Sequence, residues 1–205
     1  MVTIIIIIIT AIFSYIAFRN PNIMRRYDFA PYRIAKNKEY HRFITHAFLH
    51  ADWPHLIINM LVLYSFGSHV ENIFDRYSLY GFFKIPGSAY ILLYIGGIIL
   101  SAISTFLRNR NDPDYLAVGA SGAVSAVVFA SIFFSPFGKI YFFGIIPIPG
   151  IIFGVLYLIY SSYMSRKGGD NINHEAHFWG ALYGFVFPML MDPSLVKIFI
   201  NQLRL

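Results

Sequence analysis

Three short stretches of this sequence combine side chains that could make and break a covalent bond. "PHLIIN" sets His55 and Asn59 four residues apart, a spacing that puts both on one face of a helix. "GASG" holds Ser121 between Gly119 and Gly122, and "HEAHFWGALYG" puts His177 three residues before Gly180 and seven before Gly184, again on one face. A serine hydroxyl becomes a useful nucleophile when a neighbouring base takes its proton, and an imidazole accepts and returns a proton near neutral pH. The oxyanion that follows needs fixed donors, which Asn59, His55 and the unpaired N–H groups of a helix start around Ser121 could supply. Gly119 and Gly122 would then let a substrate backbone come close to Ser121. Gly180 and Gly184 form a GxxxG pattern that lets their helix pack tightly on the one carrying Ser121. Glu175 is two residues from His177 and so off its face, which predicts a Ser-His dyad without a third, acidic member. Ser125 is one turn from Ser121 but lacks flanking glycines, which leaves Ser121 as the nucleophile.

These side chains sit in a chain suited to a bilayer. Of its 205 residues 57% are hydrophobic and 13% charged, about half the charged share of a soluble domain. Cysteine is absent, which excludes thiolate chemistry and disulfides. A spanning helix needs about 20 apolar residues, and six segments reach or approach that length. They are Val2 to Phe18, about Trp53 to Val70, Ser88 to Leu107, about Leu116 to Phe134, a fifth from near Pro147 to Met164, and His174 to Leu190. The first has no basic n-region and no small-residue cleavage site, so it reads as a retained anchor. Pro147 and Pro149 fall where a fifth helix would begin and tolerate them. Residues 19–52 form a long first loop with seven basic residues among aromatics, a pattern of functional or interfacial loops. After Pro193 the amphipathic tail to residue 205 suits the membrane surface.

The expectation is therefore an all-α polytopic membrane protein. It would be a single domain over residues 1–205, a six-transmembrane-helix bundle with a long interfacial first loop. Even-numbered spans of an alternating bundle start from the same side, so the three stretches would converge at a depth of roughly 6 to 10 Å.

The net charge of +6 suits anionic lipid headgroups, and no basic run is long or aromatic-interleaved enough for nucleic acid. Eleven of the 16 Lys and Arg lie in the first, third and fifth connections, which by the positive-inside rule would face the cytoplasm. His46 with His50, or His174 with His177, could suggest a metal transporter or metalloprotease. "HEAH" departs from HExxH, however, and the span interiors lack carboxylates for a cation path.

The chain resembles the rhomboid intramembrane serine proteases over nearly all its length. "HAFLHADWPHLIIN" from His46 to Asn59 is similar to the family's histidine-rich start of the second helix, where the last histidine and the asparagine help form the oxyanion hole. "GASG" resembles the nucleophile motif GxSG, and "AHFWGALYG" resembles AHxxGxxxG with the general base at His177. The resemblance implies cleavage of single-span membrane protein substrates in or near their transmembrane segment, with no cofactor beyond water. It also implies a mouth toward the outside of a prokaryotic cell membrane, a first loop partly in the lipid, and lateral gating by the fifth helix. "PIPG" at Pro147 to Gly150 would weaken one end of that helix, and Gly168 and Gly169 would loosen the loop after it. Two positions depart from the family pattern. His41 precedes Arg42 where a tryptophan is common, and Ser125 stands where a tyrosine often packs on the base, so another aromatic has to hold His177. A non-catalytic rhomboid-like client-binding protein is the other reading, against which Ser121 and His177 both argue.

Overall fold

The computed structural model describes residues 1–79, 87–142 and 144–203. It is mostly helical. Helix α1 covers Val2–Arg19, and three short helices follow: α2 (Pro21–Tyr27), α3 (Pro31–Asn37) and α4 (Arg42–Thr45). Helix α5 (Trp53–Val62) runs through a π-helical turn, Leu63–Gly67, into α6 (Ser68–Leu79). Then come α7 (Ser88–Asn109), α8 (Ser121–Phe134), strands β1 (Lys139–Phe142) and β2 (Ile146–Pro149), α9 (Gly150–Lys167), α10 (His174–Met191) and α11 (Leu195–Leu203).

Local chemistry sets several of these starts. Asp52 accepts a hydrogen bond from the His55 N–H at 2.8 Å and Asn173 accepts one from Ala176 at 3.0 Å, each capping a helix, which satisfies orphan donors of the first turn. Prolines occupy the first turns of α2, α3 and α5, where the missing N–H has no cost. Lys38 ends α3 in the left-handed region at φ 61°.

Helix α8 is the centre of the bundle. Every residue from Gly122 to Phe134 is buried, as expected of a helix apolar all round. Helices α7 and α10 pack along it, and α9 touches it more lightly. Among the described residues, α1 and α7 are each long and apolar enough to cross a membrane. Helices α10 and α11 would make a third such element if taken as one span broken by a 119° bend.

Two boundaries differ from the sequence expectation. The fourth segment was expected to be helical from about Leu116, but Phe29 and Ala117 form a β-bridge, with N–H to carbonyl distances of 2.8 and 3.0 Å. Extended backbone there delays the helix until Ser121. Pro147 and Pro149 do not lie in the first turn of a helix. They belong to β2, antiparallel to β1 with Lys139 opposite Pro149, and a two-stranded hairpin is all edge, where proline is tolerated. The last two residues of the tail lie outside the described residues.

Residues 20–52 are organised around Arg42, which is 1% exposed. Its guanidinium binds the carboxylates of Asp28 and Glu39 and donates to the carbonyls of Asp28, at 2.7 Å, and Arg25, at 3.1 Å. Burial pushes the Asp28 carboxyl above its ordinary value, against the pull of Arg42.

Candidate active site

Ser121 is the first residue of α8 and half-buried. The backbone before it is held from the first connection: Ala117 pairs with Phe29, and the Gly119 N–H donates to the His46 carbonyl at 3.0 Å. Gly119 has φ +126°, and a Cβ there would come within 2.7 Å of His55 Cε1. Glycine is thus required twice, by the backbone and by the imidazole lying over it. The His55 ring therefore sits two residues from the nucleophile candidate.

His55 is itself buttressed. His50 packs edge-on against it at 4.9 Å between centroids, and His50 Nδ1 is 3.0 Å from Ser14 Oγ. Ser14 donates its single proton to the Phe48 carbonyl, so His50 carries hydrogen on Nδ1. His46 likewise donates from Nδ1 to the Arg42 carbonyl at 2.8 Å. Burial pushes His46 down to about 4 and His50 down to about 3, so both are neutral at ordinary pH. Asn59 is buried and donates to the His55 carbonyl at 2.8 Å; its amide carries a second hydrogen.

The remaining residues depend on the contact between α8 and α10. A Cβ on Gly180 would strike the Gly122 carbonyl, and one on Gly184 would strike the Ala126 backbone. The two helices thus run side by side in one direction with residue 122 beside 180 and 126 beside 184. His177 is one turn before Gly180, at the same end of the bundle as Ser121. The missing Cβ of Gly122 faces the Ser101 hydroxyl and, at 3.5 Å, the Ala176 carbonyl. Its bareness serves helix contact, where the sequence suggested room for substrate.

No carboxylate among the described residues hydrogen-bonds His177. Glu175 turns to α7, accepting from Ser104 and lying 3.8 Å from Arg108. Asp170 pairs with His174 at 3.0 Å. The aromatic against His177 is Tyr157 of α9, stacked at 6.3 Å and 23°. Its hydroxyl is 2.6 Å from Ser125 Oγ, so Ser125 is engaged with α9. Sequence reasoning did not single out Tyr157. The available signal was the need for an aromatic once Ser125 occupied the position of the family's tyrosine.

Behind Ser121 is a cavity of about 20 Å³ lined by His46, Ser101, Ser121 and Asn173 among others, room for about one water among polar groups. Among the described residues no group of three His, Cys, Asp or Glu is placed to hold a metal.

Comparison with known proteins identifies the family. The family model for the Rhomboid domain matches residues 37–193. RHOMBOID-like protein 12, mitochondrial, of Arabidopsis thaliana is 31% identical over 152 residues, covering 71% of this chain and 45% of that protein. YdcA of Bacillus subtilis (strain 168), whose name marks it as a candidate rhomboid protease, is 28% identical over 154 residues, 75% of this chain and 68% of its own. Rhomboid protein 1, mitochondrial, of Saccharomyces cerevisiae (strain ATCC 204508 / S288c) is 27% identical over 159 residues, 74% and 42%. The chain thus spans less than half the length of the plant and yeast relatives. A match over three quarters of the sequence, enclosing all three polar stretches, means that the chain belongs to the rhomboid family.

Proposed function

We propose that this protein is an intramembrane serine endopeptidase that cuts single-span membrane proteins in or near their transmembrane segment. Ser121 is the nucleophile and His177 the general base. The observation that carries the reading is the register of α10 on α8, with Gly180 against Gly122, which brings His177 to the end of the bundle where Ser121 begins its helix. In the reaction His177 takes the Ser121 proton as the hydroxyl oxygen attacks the scissile carbonyl. The Ser121 N–H, Asn59 and His55 steady the oxyanion. Collapse expels the amine, which receives the proton from His177. A water, activated by the same imidazole, then hydrolyses the acyl-enzyme and restores Ser121.

Residues 1–205 act as one unit in this reading, a bundle of six spans formed by α1, α5 with α6, α7, α8, α9 and α10. Residues 20–52 rest at the interface and α11 lies along the membrane. At 14 residues α8 is about 21 Å long, shorter than a hydrocarbon core of roughly 30 Å. That supports a Ser121 recessed below the membrane face, with water reaching it from the polar mouth. The relatives' names give mitochondrial proteins and a bacterial one, so the reading is of a multi-pass membrane protein without preference for one membrane.

The test is reconstitution in liposomes with a labelled single-span substrate, for the wild type and Ser121→Ala, with and without chelator. Cleavage that is absent in the variant and indifferent to chelator supports the proposal. Binding of the substrate without cleavage would favour a client-binding protein, and loss of cleavage on chelation would favour a metalloenzyme.

A further inference from the structure

Helix α9 is the least embedded of the long helices. Of its 18 residues Gly150, Gly154 and Ser161 are buried, while Ile152, Val155, Leu156, Ile159, Tyr160 and Tyr163 are exposed. Gly154 lets it approach α8: a Cβ there would lie 3.4 Å from both Ile132 and Phe129. One turn later Tyr157 enters the gap between α8 and α10. Its ring packs on Phe129 at 5.5 Å and Phe153 at 5.8 Å, stacks on His177, and its hydroxyl meets Ser125. A second contact repeats the first at the same spacing on both helices, with Tyr160 edge-on to His174 at 5.4 Å. His174 in turn packs edge-on against His177 at 5.9 Å.

An imidazole with no carboxylate partner is free to turn about its side-chain torsions unless neighbours confine it. Here the confining faces are Tyr157 and His174, and only Tyr157 lies parallel to the ring. We propose that Tyr157, tethered by Ser125, is a positioning residue that orients His177 for proton transfer and makes that orientation depend on α9 being seated against α8. The inference rests on the assignment of Ser121 and His177 above. It ties a lipid-exposed helix to the reacting geometry: when α9 moves away from α8, the ring platform leaves with it.

The experiment compares wild type, Tyr157→Phe, Tyr157→Ala, Ser125→Ala, the double variant Ser125→Ala/Tyr157→Phe and the exposed-face control Tyr163→Ala in liposomes. It reads kcat, KM, the rate of Ser121 labelling by a fluorophosphonate, and the unfolding temperature. Tyr157→Ala is expected to lower kcat and labelling by roughly 100-fold, the scale of an ångström-level misplacement, with KM little changed. Tyr157→Phe and Ser125→Ala each break the same tether, so their smaller losses should coincide and not add in the double variant. Tyr163→Ala should match wild type. Ser125→Tyr added to Tyr157→Ala returns an aromatic to the base from α8, and recovery of kcat there supports a positioning role that mere stability would not explain. Wild-type kcat in Tyr157→Ala overturns the inference, as does a loss that tracks unfolding temperature across the set. A wild type that neither cleaves nor labels overturns the protease reading and this one with it, so the two failures are distinguishable.

Discussion

Gly180 of α10 rests directly against the carbonyl of Gly122 in α8, leaving no room for a methyl group one residue from Ser121. Gly180→Ala and Gly184→Ala should therefore force the helices apart. Overpacking of this kind costs about 1–3 kcal/mol, and the displaced α10 would carry His177 away from Ser121. Both variants are expected to unfold at lower temperature and to cleave more slowly at full substrate saturation. Wild-type rates in either would separate the helix contact from the chemistry.

Gly119→Ala tests the bend before the nucleophile. An alanine at φ +126° is strained by roughly 1–3 kcal/mol, and its Cβ would press on the His55 ring. The expected result is a fall in kcat larger than the fall in stability, measured by initial rates beside thermal unfolding.

Arg42→Ala removes the hub of residues 20–52 and leaves Asp28 buried without its partner. Breaking a buried pair in this way costs about 3–5 kcal/mol. Arg42→Lys should recover only part, because one ammonium cannot reproduce the bonds of the planar fork to four groups. Equilibrium unfolding of both variants is the measurement.

Stability should fall on acidification through a window set by His46. The folded ring takes a proton only near pH 4, whereas the unfolded one does so near its ordinary 6.5. Between those values the unfolded chain binds more protons, so stability present at neutral pH is lost as pH drops, by about 3 kcal/mol for this group. His50, pushed down by burial in the same way, extends the slope toward pH 3. His46→Gln should flatten the profile between pH 6.5 and 4, followed by thermal unfolding across that range.

The three polar stretches and the helices that carry them could be read from residue types and spacing. His55 with Asn59, and His177 with Gly180 and Gly184, share faces because 3.6 residues make a turn. What could not be read depends on partners distant in sequence. The helix starts at Ser121 and not near Leu116 because Ala117 pairs with Phe29, nearly ninety residues earlier. Pro147 and Pro149 were expected where the fifth helix begins, yet pairing of Lys139 with Pro149 puts them in a hairpin strand. Tyr157 was one of several tyrosines on α9, and which of them meets His177 is set by the rotation of that helix about Gly154.

The most direct test of the dyad is the site and rate of covalent modification by a fluorophosphonate in reconstituted protein, located by peptide mass spectrometry. The expected adduct is on Ser121, abolished in Ser121→Ala and slowed in His177→Ala to the background of the double variant, because the two residues act as one unit. An adduct on another serine, or labelling of Ser121 at the wild-type rate in His177→Ala, would contradict the Ser121–His177 mechanism.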